Sequence, residues 1–235
     1  MKNIKDVCFI IQTRLSSLRC PQKAIRPFAD TTLTDIAIQK ILKSKVIPKE
    51  NFYASVYEKE LLDLCDKYDI NIYYRSEESA NSRGNIGTIV YEWYNRLPYE
   101  YCVLISTCQP LMKIETIDSF VKAYLETESD GLFAVVPKKQ YYWNNDGDLI
   151  SPWPEGCNLM NTNVVEPTFE AAHCLYASRM DAVGNGMFMG KPPYTKNNPD
   201  LFSVEELEVF DVDHEWEFEV AEILYRKFRN DFNIS

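Results

Sequence analysis

Three features of this 235-residue chain predict an α/β fold, a Rossmann-like, mostly parallel sheet with helices on both faces. First, several apolar runs are continuous rather than alternating: residues 7–11, 101–106 and 131–137. Runs of that kind read as strands buried on both faces, as parallel strands are. Second, the segments between them carry apolar residues at helical spacing, so strand and helix alternate along the chain. Third, 46% of the residues are hydrophobic, enough to fill a core and too many for a disordered chain. No internal repeat or low-complexity stretch interrupts the pattern, and residues 1–235 are expected to form one domain.

The elements follow in order. Residues 7–11 form the first strand. Leu33, Ile36, Ala37 and Ile41 share a helical face, with Thr32 and Asp35 spaced as a capping box. Residues 51–57 alternate toward a strand, and 58–68 form a helix through Leu61, Leu62 and Cys65. Ile72, Tyr73 and Tyr74 make a short strand that ends at Arg75. Residues 85–97 read as a helix with Ile86, Ile89, Val90 and Trp93 on one side. After the strand at 101–106, Ile114, Ile117, Phe120, Val121, Tyr124 and Leu125 mark another amphipathic helix. Residues 131–137 return as a strand.

From 138 to 169 the pattern breaks. This stretch holds Trp143, Trp153, Pro152, Pro154, Pro167 and many asparagines. It is too long for an ordinary connection, so an irregular excursion is expected there. Residues 174–178 look like a strand, 181–200 like an irregular loop with three Gly and three Pro, and 207–211 like a last strand. A final helix spans 215–229, with Phe218, Ala221, Ile223, Leu224 and Phe228 mostly inward.

Composition excludes several classes. A net charge of −10 argues against nucleic-acid binding, which needs a basic surface. No apolar run approaches the ~18 residues of a membrane span. The N-terminal apolar run is too short and too soon interrupted for a signal peptide. Seven cysteines (Cys8, Cys20, Cys65, Cys102, Cys108, Cys157, Cys174) are dispersed without a CxxC pair. That pattern predicts reduced thiols and a cytoplasmic protein rather than a disulfide framework or zinc site. Four of them sit in apolar segments and are expected to pack as small hydrophobes.

The loop after the first strand is the most informative stretch. Arg14, Arg19 and Lys23 fall within ten residues of an otherwise acidic chain. Such a loop opens at the carboxyl edge of the sheet, where open α/β folds bind ligands. Guanidinium groups match phosphate oxygens bidentately and lysine supplies a point charge, so a polyphosphate is the natural ligand. The alternative is a solvated basic loop. Near the other end, Asp211 and Asp213 lie two apart at an expected strand end, with both side chains on one face. Two carboxylates so placed suit Mg2+, which takes one or two carboxylates plus phosphate oxygens. Asp213 also suits a helix N-cap, with Glu215 and Glu217 favouring the dipole.

The first loop resembles that of the cytidylyltransferases that make CMP-sialic acid and related sugars. Their pattern is Ala-Arg-x-Gly-Ser-x-Arg-x-Pro-x-Lys, and Arg14, Ser17, Arg19, Pro21 and Lys23 match it in register. Thr13 replaces the alanine and Ser16 the glycine, where a glycine lets backbone amides approach phosphate closely. The Asp-x-Asp before the last helix stands at 211–213, and there the resemblance implies the metal ligands. Ser106, Thr107, Cys108 and Gln109 replace the polar part of the family's Leu-Gln-Pro-Thr-Ser-Pro-Leu segment, while Pro110, Leu111, Glu115, Ile117 and Asp118 stay in register. Arg75 stands where the family has an arginine near the nucleotide; its other reading is a surface cation paired with Glu77 or Glu78. Ala172 and His173 replace Asn-Gly in the strand that shapes the sugar pocket. His173 is read as an acceptor contact or as an ordinary structural histidine, and His214 as a helix-start residue or one beside the metal ligands.

What the resemblance implies is a nucleotide-diphospho-sugar transferase fold and transfer of CMP from CTP, with release of pyrophosphate. Such transfers rest on positioning and charge neutralisation. Arg14, Ser17, Arg19, Lys23, Arg75 and Ser106 are the expected nucleotide contacts. Arg14, Lys23 and Asp211 are the expected catalytic groups, Asp211 and Asp213 the Mg2+ ligands, and Gln109 and His173 the acceptor contacts. The acceptor is an acidic sugar or a small phosphorylated compound, in either case feeding surface polysaccharide assembly. A homodimer is expected, with 138–169 as acceptor-pocket or subunit-contact region. Two other readings stay open: a nucleotide-binding protein without turnover, and a nucleotidyltransferase that uses UTP or GTP.

Overall fold

A computed structural model of the chain describes residues 1–81 and 86–229. Among these residues seven strands form one mixed sheet: β1 (Val7–Gln12), β2 (Phe52–Val56), β3 (Asn71–Tyr74), β4 (Tyr101–Ile105), β5 (Leu132–Lys138), β6 (Thr168–Arg179) and β7 (Asp200–Ser203). Their spatial order is β3-β2-β1-β4-β6-β5-β7. β1 pairs in parallel with β2 and β4, so Phe9 lies between Phe52 and Val103. β6 runs antiparallel to both β4 and β5, and β5 pairs in parallel with β7. The sheet is thus mostly parallel, as expected, with one reversed strand.

The continuous apolar runs explain themselves once both faces are seen. On β1, Val7, Phe9 and Ile11 join a core with Ile38, Ile41, Leu61, Phe120 and Val121. Those partners belong to α1 (Leu33–Lys43), α2 (Lys59–Asp66) and α5 (Ile114–Glu126), in a series that also holds α3 (Glu77–Asn81), α4 (Gly87–Val90), α6 (Met180–Gly184) and α7 (Glu215–Phe228). Cys8 and Ile10 point the other way, against Trp93 and Met180. Alternate residues therefore feed opposite layers, and no position from Val7 to Ile11 faces water. Half of the expected capping box forms: the Thr32 hydroxyl accepts the Asp35 N–H at 3.0 Å, but the Asp35 carboxylate accepts that same hydroxyl at 2.8 Å rather than the Thr32 N–H.

Four further expectations need correction. The helix expected at 85–97 begins at a residue outside the described set, and its described part is two pieces, α4 (Gly87–Val90) and a 3-10 turn at Glu92–Asn95. The chain breaks at Tyr91 (φ −107°, ψ 39°), where Glu92 turns inward to accept the Ser76 N–H and hydroxyl at 2.6 and 2.9 Å. The last strand is not at 207–211 but at β7, inside the segment expected to be loop. Residues Glu206–Val209 instead form a 3-10 turn. Buried Glu208 fixes it by accepting the Lys113 N–H at 2.9 Å and pairing with Lys113 Nζ at 3.1 Å. Third, Ile223 of the last helix, α7 (Glu215–Phe228), faces outward at 67% exposure. Phe218, Ala221 and Tyr225 carry the buried stripe. Fourth, five cysteines are buried rather than four: Cys8, Cys20, Cys65, Cys102 and Cys174.

α7 packs where the fold needs it, on the first loop. Phe28 meets Phe218 edge-on at 5.2 Å and Tyr225 at 5.5 Å. Cys20, Leu33, Leu111 and Val212 complete that cluster. Burial of these side chains brings residues near 213 beside residues near 20. Between Lys138 and Thr168 there is no helix or strand among the described residues. The excursion is instead held by contacts such as Tyr141 against Trp153 at 5.5 Å. Among the described residues no helix is long and apolar enough to cross a membrane.

Candidate active site

A cleft of about 640 Å³ opens beyond the carboxyl ends of β1 and β4. Arg14, Ser17, Arg19 and Lys23 line it from the first loop, Thr107 and Cys108 from the loop after β4, and Asp213 from the segment before α7. The first loop has no regular structure, so side chains must hold it. Glu58 accepts the Leu15 N–H at 2.8 Å. Thr34 donates to the Ala24 carbonyl at 2.8 Å. Arg26 grips Glu215 with two bonds of 3.1 and 2.7 Å and lies 3.8 Å over the Phe218 ring. Arg14 donates to the Ala80 carbonyl at 3.4 Å.

Charge is concentrated on one side of this cleft. Asp213 accepts from Arg19 at 2.6 Å and from Lys23 at 3.0 Å, and Lys23 also donates to the Val212 carbonyl at 2.5 Å. The Cys108 carbonyl accepts the Val212 N–H at 3.1 Å, which ties the segment to the β4 loop. Burial pulls the Lys23 pKa down, but the fields of Cys108 and Asp213 outweigh it and leave it above an ordinary lysine. Burial likewise pushes Asp213 up, while Lys23 and Arg19 more than offset this and hold it below the usual carboxylate range. Asp211 goes the other way: burial and the neighbouring Asp213 charge push it up to about 6. Its Oδ1 is buried without a hydrogen-bond partner.

The sequence-based site residues separate into two groups. Arg14, Ser17, Arg19, Lys23 and Asp213 face the cleft. Asp211 does not line it. Residues 211–213 are not a strand, so the two-apart rule had no pleat to act on. His214, not Asp213, stands at the N-cap of α7, and Glu217 accepts both the Asp213 and His214 N–H groups at 2.7 and 2.6 Å. Arg75, expected at the nucleotide, is 6% exposed and turned inward. It donates to the Thr13 carbonyl at 3.4 Å and the Ser79 carbonyl at 2.8 Å, so it braces the first loop from behind.

Ser106 and Gln109 line a small recess beside the cleft rather than the cleft itself. Ser106 accepts the Cys108 N–H at 3.2 Å. Gln109 is 3% exposed, donates to the His173 carbonyl at 3.4 Å, and leaves its Oε1 without a partner. His173 is exposed, in the left-handed region at φ 51°. The register between β5 and β6 shifts there, since Phe133 opposes Tyr176 but Val135 opposes Ala171. That bulge lifts His173 off the ladder and lets Nδ1 meet the Tyr176 hydroxyl at 3.1 Å.

Two residues escaped the sequence reading. Lys40 is 2% exposed on α1 and donates to the Pro110 and Gln109 carbonyls at 2.5 and 3.4 Å. Burial lowers its pKa to about 7. A signal existed, because Lys40 falls on the same helical face as Ile36 and Ala37. Gln12, at the end of β1, also lines the cleft; nothing in its local sequence sets it apart.

Residues 8–184 match the family model described as cytidylyltransferase. The chain belongs to the cytidylyltransferase family. It is a nucleotidyltransferase, and the matched span contains the first loop, Arg75, the β4 loop and His173. A curated relative, the spore coat polysaccharide biosynthesis protein SpsF of Bacillus subtilis, is 22% identical over 240 residues, covering 95% of this chain and 88% of that protein. Among solved structures, a CMP:2-keto-3-deoxy-manno-octonic acid synthetase complexed with CTP has TM-score 0.67 at 11% identity, covering 94% of this chain and 99% of that one. A 4-diphosphocytidyl-2C-methyl-D-erythritol synthase from Anaerococcus prevotii has TM-score 0.64 at 13% identity, with 94% and 96% covered. A cytidylyltransferase from Leptospira borgpetersenii has TM-score 0.56 at 12% identity, with 98% of each chain covered. At these identities the solved structures establish the nucleotide-diphospho-sugar transferase fold.

Proposed function

We propose that this cytidylyltransferase transfers CMP from CTP to an acidic sugar of the sialic type, or to a small phosphorylated precursor, for surface polysaccharide assembly. The relatives' names support the acceptor class, and the whole chain is read as one catalytic domain. One observation carries the reading: three cations converge on a single cleft at the carboxyl edge of parallel strands, and two of them are held by Asp213. Arg14, Arg19 and Lys23 take the triphosphate, with Ser17 beside them. The acceptor oxygen attacks the α-phosphorus and the bond to the pyrophosphate breaks. Lys23, half-buried and cationic, stabilises the charge that develops on the leaving group. Arg75 braces the loop that presents Arg14.

Asp211 and Asp213 are the residues that would hold Mg2+. The buried Oδ1 of Asp211, orphaned beside a second carboxylate, fits a hard cation. When bound, the ion neutralises phosphate charge. Among the described residues no cluster of three His, Cys, Asp or Glu ligands exists, so phosphate oxygens would complete the shell. Gln109 and His173, joined by the Gln109 bond to the His173 carbonyl, are assigned to the acceptor side with Ser106 shaping the loop. The excursion exposes Trp143, Ile150, Trp153 and Leu159, a surface suited to a second copy in a homodimer. Seven unbridged cysteines support a reducing, cytoplasmic setting.

The test is pyrophosphate release from CTP, UTP, GTP and ATP with Mg2+, against acidic sugars and small phosphorylated metabolites. Release with CTP and one acceptor is the expected result. CTP binding without release in any pair would point to a nucleotide-binding role instead.

A further inference from the structure

The cleft has two chemically different sides. On the β4 side lie Lys23, Arg19 and Asp213, tied to Cys108 through Val212. On the β2 side lie Gln12, whose backbone pairs with Ser55 of β2, and Arg14, which reaches the Ala80 carbonyl beyond β3. The Gln12 side chain is unusually constrained. Its Oε1 accepts the Trp93 indole N–H at 2.8 Å and the Ser55 hydroxyl at 3.4 Å. Trp93 and Ser55 are both fully buried. An indole nitrogen can only donate, so the amide oxygen must face it and the amide nitrogen must face away. Among the described residues Nε2 has no hydrogen-bond partner, and it is not among the buried polar atoms. Gln12 thus presents to the cleft a donor that cannot turn over into an acceptor.

We propose that Gln12 is a base-specificity residue: Nε2, aimed by Trp93, donates to ring N3 of the cytosine. The inference rests on the reading that this cleft binds CTP. With the triphosphate drawn to Lys23 and Arg19, the base falls on the side of the Gln12 amide. Cytosine N3 is an acceptor. In uracil the same atom carries a hydrogen, so donor would face donor. Leaving that donor against another donor costs about 1–3 kcal/mol, a ~5–150-fold preference. Trp93 acts as a positioning residue, because it fixes which end of the amide the base meets.

The experiment is calorimetric titration of the full chain with CTP and with UTP in Mg2+, with the binding of inorganic tripolyphosphate as control. Wild type is expected to favour CTP by ~10-fold or more. Q12E keeps an acceptor for Trp93 but presents a second one to the base, so its CTP:UTP ratio inverts. Q12M brings the ratio near one. W93F frees the amide to turn over and lowers the ratio, with tripolyphosphate affinity unchanged in all three. A ratio that stays at the wild-type value in Q12M and W93F, while CTP still binds, would overturn the base-reading role alone. Absence of CTP binding to wild type would overturn the nucleotide reading along with it.

Discussion

The two sides of the cleft are held by different forces. The β4 side is a charged cluster, Arg19 and Lys23 sharing Asp213, with Arg19 59% exposed. The β2 side is a hydrogen-bond network, Gln12 at the cleft wall backed by fully buried Trp93 and Ser55. Charges in water give reach and attraction but weak geometry. Buried hydrogen bonds give geometry, because a misplaced donor stays unpaired. A nucleotide needs both, and here each half of the task falls to one side.

Substitutions can break this division, beginning with the largest effect. K23M removes the only cation of the cluster that is mostly buried, at 14% side-chain exposure against 59% for Arg19. Steady-state kinetics are expected to show kcat/KM down ~10²–10³-fold with CTP, and a drop under tenfold would remove Lys23 from the chemistry.

D211N comes next. The folded Asp211 pKa, about 6, lies above the ordinary 3.8. Its contribution to stability is therefore full below 3.8 and is lost as pH rises through about 6. D211N is expected to melt a few °C above wild type at pH 8 and to match it near pH 3, while turnover falls at least ~10-fold. Melting below wild type at pH 8 would contradict the uncompensated-carboxylate account.

R19A sharpens the comparison through salt. CTP affinity is expected to fall about tenfold at low ionic strength and less in ~0.5 M NaCl, because the group is exposed and screened. An effect independent of salt would place Arg19 in a sealed contact.

K40M is the mildest in activity. Buried Lys40 titrates near 7 against 10.5 unfolded, so the cost of its charge is full below 7 and shrinks as pH rises toward 10.5. The melting-temperature difference, K40M minus wild type, should be more positive at pH 6 than at pH 10. Losing the bonds to the Gln109 and Pro110 carbonyls is expected to raise KM for CTP about threefold. The same melting difference at both pH values would show that Lys40 does not titrate between them.

Legibility in the chain tracks the range of the interaction. Strands β1, β4 and β5 and the Thr32–Asp35 cap are local patterns, set by neighbours within a few residues. The first-loop cations are equally local, and so is their spacing. β7 was hidden because its four residues follow a Gly- and Pro-rich stretch and are defined only by pairing with β5. The 3-10 turn at 206–209 depends on Glu208 meeting Lys113, 95 residues away. Asp211 and Asp213 were legible as a pair but not as one buried and one facing the cleft. That difference comes from Val212 packing into the cluster under α7. Gln12 had no signal of its own, since its role is conferred by Trp93, 81 residues later. Arg75 shows the converse: its position relative to β3 was right, but Ser79 and the Thr13 carbonyl turn it inward.

The most direct test is calorimetric titration of wild type with CTP, CMP and cytidine in Mg2+ at two salt concentrations. If the cationic side takes the phosphates and the amide side the base, CTP binds far more tightly than CMP or cytidine. Its affinity also falls with salt, while that of cytidine does not. Equal affinity for CTP and cytidine, or a CTP affinity indifferent to salt, would contradict the placement of the triphosphate among Arg14, Arg19 and Lys23.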